Sequence, residues 1–216
     1  MSAVRIGITG PIGCGKSTVA GWLGERPSVV VVDADVLARE VLGPGTTELD
    51  AVYARFGAGL ARDDGSLDRA ALGRVVFADP TALRDLEAIV HPAVRRRMLA
   101  AIEAADAVGA AAIVIEAIKL VEGGLADLCD EVWLVACDSS VQLERLLGRG
   151  TVPEDAAARI AAQGDLAARL APRATRIVDT TGEPATTRAL VEAAFADAQS
   201  RAIHSVADKG PPGPSR

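Results

Sequence analysis

Apolar and polar positions along the chain fall into short β-branched runs separated by longer stretches with helical spacing, the alternation of an α/β protein. Val4-Arg5-Ile6-Gly7-Ile8 opens the series as a strand. Ser28-Val29-Val30-Val31-Val32 is too short for a helix and apolar on both faces, so it reads as a buried parallel strand. Ala111-Ala112-Ile113-Val114-Ile115, Glu131-Val132-Trp133-Leu134-Val135 and Arg176-Ile177-Val178-Asp179-Thr180 supply three more strands. Between Val36 and about Ala107 no long strand is legible. Helix follows helix there, punctuated by Gly43-Pro44-Gly45, Gly57-Ala58-Gly59, Asp63-Asp64-Gly65 and Asp79-Pro80, with His91-Pro92 expected to break one helix from the next. A last amphipathic helix opens at Glu183-Pro184 and is expected to run to about Ala202; no internal repeat is visible.

The first strand leads directly into Gly10-Pro11-Ile12-Gly13-Cys14-Gly15-Lys16-Ser17, which fits G-x-x-x-x-G-K-[ST] without a mismatch. This is a P-loop. Its glycines let consecutive backbone N–H groups turn around a polyphosphate, the lysine reaches the β/γ oxygens, and the serine hydroxyl ligates Mg²⁺. Ser17-Thr18-Val19-Ala20-Gly21-Trp22-Leu23 supplies the helix whose N-terminus faces the anion. Ligands of open α/β sheets lie outside the carboxyl ends of strands. The second strand ends there in Asp33-Ala34-Asp35: Asp33 is the sharper chemical candidate, and Asp35 reads equally well as the cap of a helix starting near Val36. The third strand ends in Glu116, a second candidate for the metal beside Ser17.

Composition narrows the partners. The chain has 216 residues, enough for one α/β domain with an insertion, and half of them are hydrophobic but only 3% aromatic, so the core is built from Ala, Val, Leu and Ile. A formal net charge of -6 argues against nucleic acid or an anionic membrane as the main partner and leaves small-molecule substrates; oligomeric state stays open. Cys14, Cys129 and Cys137 are odd in number and lack C-x-x-C spacing, so neither a disulfide framework nor a zinc site is expected. With no signal-peptide pattern and no apolar run of membrane-spanning length, a cytoplasmic location is expected. Cys14 is expected to contribute its backbone N–H and, as an exposed thiol, to be open to oxidation.

Basic residues mark a second functional region. Asp138-Ser139-Ser140 is expected to cap a helix carrying Gln142, Arg145 and Arg149; the two arginines are four apart and share a face. Gly148-Arg149-Gly150-Thr151-Val152-Pro153 then leads into a helix with Arg159 and Gln163, a segment suited to a mobile lid that brings guanidinium groups onto phosphate, the alternative being solvated helix residues. Arg95-Arg96-Arg97 reads better as a solvated helix face. His91 reads as a helix-entry residue, and Lys119 as an ion-paired loop lysine or a ligand contact.

The ordered set resembles the dephospho-CoA kinase family over nearly the whole chain. It is carried by Ile8 to Ser17, Val32-Asp33-Ala34-Asp35 with Ala38-Arg39-Glu40-Val41, Phe56-Gly57, Asp64-Gly65-Ser66-Leu67-Asp68-Arg69 leading to Leu72 and Phe77, His91-Pro92, Cys129-Asp130-Glu131-Val132-Trp133, Gln142-Leu143-Glu144-Arg145-Leu146 and Arg159-Ile160-Ala161-Ala162-Gln163. The resemblance implies a three-layer α/β/α P-loop kinase core with a five-stranded parallel sheet, a helical acceptor-binding insertion and an arginine-bearing lid. The expected layout is one domain over 1–206, with core at about 1–42 and 108–206, insertion at about 43–107, lid at about 148–168, and a disordered tail over 207–216.

It also implies that the γ-phosphoryl of ATP moves to the ribose 3′-hydroxyl of dephospho-CoA, with Mg²⁺. On that basis Lys16, Asp33 and Arg149 are the catalytic candidates. Pro11, Ile12, Gly13, Cys14, Gly15, Lys16, Ser17, Thr18 and Arg145 hold nucleotide, and Ser17 takes the metal. Two departures stand out from the family pattern: Ile118-Lys119-Leu120-Val121-Glu122 after the third strand, and Asp179-Thr180 where an asparagine is common. The rival within the class is a shikimate-type or nucleoside kinase. A guanine-reading switch is disfavoured because the chain contains no asparagine for an Asn-Lys-x-Asp motif.

Overall fold

In the computed structural model, which describes residues 3–208, the five apolar runs form one sheet: β1 Val4–Thr9, β2 Val29–Asp33, β3 Ala112–Glu116, β4 Glu131–Ala136 and β5 Arg176–Asp179. The strand order is β2-β3-β1-β4-β5, and the sheet is parallel. The register aligns Ile6 with Val114 and with Glu131, so β1 lies at the centre with a neighbour on each side. Helices α1 Lys16–Gly24 and α9 Pro184–Asp208 cover one layer and α6 Ser139–Gly148, α7 Pro153–Gln163 and α8 Leu166–Leu170 follow β4. Ile6, Ile8, Val19, Leu23, Val114, Trp133 and Val191 are fully buried around β1, in a mainly aliphatic core that also holds Phe195.

The chain divides into two compact units, one holding residues up to Val32 and from Ala105 onward, the other Asp33–Ala104. The second is all helical, with α2 Ala34–Val41, α3 Thr47–Phe56, α4 Arg69–Ala78 and most of α5 Pro80–Ala107. Val41, Leu49, Val52, Leu72, Val76 and Met98 are among its buried apolar positions. It begins ten residues before the expected boundary at 43 because α2 belongs with it: Glu40 pairs with Arg97 at 3.3 Å and Arg69 Nη2 donates to the Arg39 carbonyl at 2.9 Å.

Local expectations needed correction in several places. His91-Pro92 does not break a helix; α5 runs 28 residues through Pro92. Proline removes one donor, but its fixed φ is helical, and the Ala, Leu, Arg and Glu on either side propagate the helix past it. β2 is not buried on both faces, because it is an edge strand and Val31 is 38% exposed. Asp138 occupies the N-cap position of α6 but its side chain makes no capping bond, while its N–H donates to Thr181 Oγ1. The last helix extends to Asp208, past Ala202, so Ala207 and Asp208 are helical; the remainder of the expected tail lies outside the described residues. Arg96 is exposed and Arg97 half-buried, and they pair with Glu48 and Glu40 respectively. Among the described residues no helix is long and apolar enough to cross a membrane.

Candidate active site

The turn after β1 exists because three of its residues, Gly10, Gly13 and Gly15, lack side chains and take positive φ. Gly10 has φ 142°, and a Cβ there would sit 2.0 Å from the Val135 carbonyl oxygen. Gly15 has φ 88° and is the N-cap of α1, where it offers no side-chain acceptor, and the first turn of α1 contains no acidic residue. This helix start therefore carries no side-chain cap of its own, the setting in which a helix N-terminus takes an anion. Lys16 is buried and donates from Nζ to the Gly10 and Pro11 carbonyls at 3.0 Å each, so the ammonium lies within the loop. Ser17 Oγ donates to Glu116 Oε1 at 2.6 Å, which brings both metal candidates together although they lie on different elements. They form a pair of oxygen donors at the end of β3.

Ile12 is held on both of its polar backbone groups. Its N–H donates to Gln163 Oε1 at 2.9 Å and its carbonyl accepts from Gln142 Nε2 at 2.5 Å. Thus α6 and α7 both grip the P-loop, the second through its last residue. Neither glutamine stood out as a site residue from spacing, although both fall in family-like stretches. Behind the loop, Thr180 Oγ1 donates to the Cys14 carbonyl at 2.7 Å and accepts from Arg145 Nη1 at 3.0 Å, and Arg145 Nη2 donates to the Thr180 carbonyl at 2.6 Å. The position that departs from the family pattern is thereby the bracket joining loop and arginine.

Beside this bracket lies a cavity of about 240 Å³, lined by Gly15, Thr18, Val19, Trp22, Arg145, Arg149, Thr180, Gly182, Pro184 and Thr187. Arg145 and Arg149 both reach it, as their four-residue spacing predicts. The loop after β5 is braced by Asp179, whose Oδ1 accepts from Thr181 N at 2.8 Å; hydrogen bonding from Thr181 holds that carboxyl below its ordinary range. The cavity combines two guanidinium groups, from Arg145 and Arg149, with apolar walls from Val19, Trp22 and Pro184.

Asp33 ends β2 and serves as the N-cap of α2, replacing Asp35 in the capping role considered for it. Its Oδ1 accepts from Asp35 N at 2.7 Å and Val36 N at 3.3 Å. Both capping bonds fall on one oxygen and fix the carboxylate in orientation. Cys14, expected to be an exposed thiol, is instead fully buried and meets Cys137.

Comparison with known proteins agrees with this geometry. Residues 4–186 match the family model described as CoaE, dephospho-CoA kinase. The dephospho-CoA kinase of Symbiobacterium thermophilum is 48% identical over 191 residues, covering 88% of this chain and 79% of that protein. That of Moorella thermoacetica is 42% identical over 196 residues, covering 90% and 92%. Among solved structures, TT1252 from Thermus thermophilus superposes with a TM-score of 0.70 at 32% identity, covering 98% of this chain and 100% of that one. By its P-loop, its helical second unit and a match spanning most of its length, the chain belongs to the dephospho-CoA kinase family.

Proposed function

We infer that this chain transfers the γ-phosphoryl group of ATP to the ribose 3′-hydroxyl of dephospho-CoA, giving coenzyme A and ADP. The observation that carries the reading is the Ser17–Glu116 contact at 2.6 Å beside a helix start with no side-chain cap and no acidic residue in its first turn, in a chain of this family. ATP lies with its phosphates in the P-loop and its base in the cavity between Trp22 and Pro184. Lys16 leaves the Gly10 and Pro11 carbonyls for the β/γ oxygens, and the N–H groups at the start of α1 hold the same charge. Arg145, fixed by Thr180, and Arg149 supply the remaining positive charge.

Ser17 and Glu116 present oxygen donors of the hard type that Mg²⁺ takes, few enough to leave room for phosphate oxygens and water. Bound there, the ion would neutralise charge developing across the β and γ oxygens. Asp33 accepts or orients the proton of the attacking hydroxyl. Its Oδ1 is committed to the helix start, so Oδ2 is the oxygen that receives it. Its place at the end of a strand supports this role, since parallel strands present their carboxyl ends on the edge where the P-loop follows β1. Phosphoryl transfer asks little covalent work of a protein, so positioning and charge neutralisation carry the rate. A cytoplasmic setting belongs to the same reading and is supported by three free thiols.

A panel of acceptors with Mg-ATP tests the assignment. Dephospho-CoA is expected to be consumed in preference to shikimate, nucleosides and gluconate. Equal or greater turnover of any of those three would overturn it.

A further inference from the structure

Two cysteines that phosphoryl transfer does not use stand against each other at the nucleotide loop. Cys14 lies between Gly13 and Gly15 with its side chain turned inward and fully buried, and Cys137 follows β4 and is partly exposed. Both are free thiols, and Cys137 Sγ donates to Cys14 Sγ across 2.7 Å. A disulfide closes at about 2.05 Å, so joining them needs a movement well under about 1 Å. The backbone on both sides is anchored: the Cys14 carbonyl accepts from Thr180, the Ala136 carbonyl accepts from Thr180 N, and Asp138 N donates to Thr181. Burial, and then the hydrogen bond from Cys137, push the Cys14 thiol up to about 12, so it stays protonated. First attack on an oxidant therefore falls to Cys137, the sulfur that solvent reaches.

We propose that Cys14 and Cys137 form a redox pair that a hydroperoxide converts into a disulfide, tying the P-loop to the end of β4. With hydrogen peroxide, Cys137 sulfur attacks one peroxide oxygen, the O–O bond breaks, and the products are a Cys137 sulfenic acid and one water that carries away the thiol proton. Cys14 sulfur then attacks the sulfenic sulfur, the S–O bond breaks, and that oxygen leaves as a second water with the Cys14 proton. Each sulfur gives up one electron and peroxide is reduced to two waters. The slow nucleophile is acceptable in the second step because its target is already in contact.

The consequence for nucleotide rests on the functional reading above. Lys16 Nζ lies on the Gly10 and Pro11 carbonyls and has to leave them for a phosphate, and in the reduced protein the loop between Gly10 and Lys16 is free to adjust around the anion. A covalent tether at Cys14 removes that freedom, so the oxidised protein binds Mg-ATP weakly and thiol reduction restores it.

The test uses the whole chain, reduced with dithiothreitol and then exposed to hydrogen peroxide. Mass spectrometry is expected to show the loss of two hydrogens and a peptide pair joined through Cys14 and Cys137. Calorimetric titration is expected to show Mg-ATP affinity at least about tenfold weaker, recovered on reduction. Cys137→Ser is expected to bind Mg-ATP as the reduced wild type does, before and after peroxide, without the joined peptides. Absence of that peptide pair in the wild type, or its presence with unchanged Mg-ATP affinity, would overturn the proposal. Failure of the reduced wild type to bind Mg-ATP would count against the functional reading, whereas the cross-link is judged by mass alone.

Discussion

Ser17 and Glu116, 99 positions apart in sequence, share one hydrogen at 2.6 Å, so the first turn of α1 and the last residue of β3 act as a single pair of oxygens. Glu116→Gln keeps the shape of the pair and removes its charge. The expected result is a fall in kcat of at least about 10²-fold, with part of the loss recovered at raised Mg²⁺, the scale of a preorganised charge at a reacting phosphate. Steady-state rates across a Mg²⁺ series measure it; a wild-type rate with wild-type Mg²⁺ dependence would show that Glu116 only positions Ser17.

Asp33→Asn separates chemistry from capping. Asparagine is as good an N-cap as aspartate, so α2 should keep its start and the fold its stability. We expect kcat to drop by at least about 10²-fold while ATP binding stays nearly intact. A near-wild-type turnover number would reduce Asp33 to a helix cap.

Thr180 links three elements through one hydroxyl, and Thr180→Val deletes it without changing shape. The Cys14 carbonyl then loses its donor and Arg145 one of its two anchors. Denaturant unfolding should report a loss of about 1–3 kcal/mol, the usual cost of leaving a buried polar group unmatched, and KM for ATP should rise. Thr180→Ser retains the hydroxyl and is expected to restore both; if serine fails where threonine works, the methyl group rather than the hydrogen bonds is responsible.

Cys129 makes stability depend on alkaline pH. Burial, helped by the Asp130 carboxylate, pushes its thiol up to about 12, well above the ordinary value. The folded protein therefore retains a proton that the unfolded chain releases. Stability is full below the ordinary thiol pKa, falls at up to about 1.4 kcal/mol per pH unit as pH rises above it, and levels off past the folded value. Cys129→Ala should flatten the slope of unfolding free energy between about pH 9 and pH 12 by close to one proton. An unchanged slope in the variant would mean that other groups account for the loss.

What could be read from the sequence was local. The P-loop is contiguous, its glycines declare their own backbone geometry, and each strand is a β-branched run between turn signals, so the five strands were legible along the chain, and with them the positions of Asp33 and Glu116 at strand ends. Pro92 misled because a breaking residue was weighed without the long helix-favouring sequence on either side of it. Val31 misled because an apolar run does not say whether its strand is central or at an edge. Least legible were contacts that only folding creates. Thr180 reaches Cys14 across 166 positions and Cys137 reaches it across 123, and no spacing rule spans such distances. Gln142 and Gln163 were visible as residues, but nothing local says that both close on the backbone of the same residue, Ile12.

Of the two tryptophans in the chain, Trp22 lines the cavity beside the P-loop while Trp133 is sealed in the core with its indole N–H on Glu131 Oε2 at 2.7 Å. The molecule thus carries two native emitters in different surroundings, one sealed in the core, the other in the wall proposed above to hold the purine ring. Quenching at the first without a spectral shift at the second separates occupancy from unfolding, so an unlabelled sample reports both through its own light.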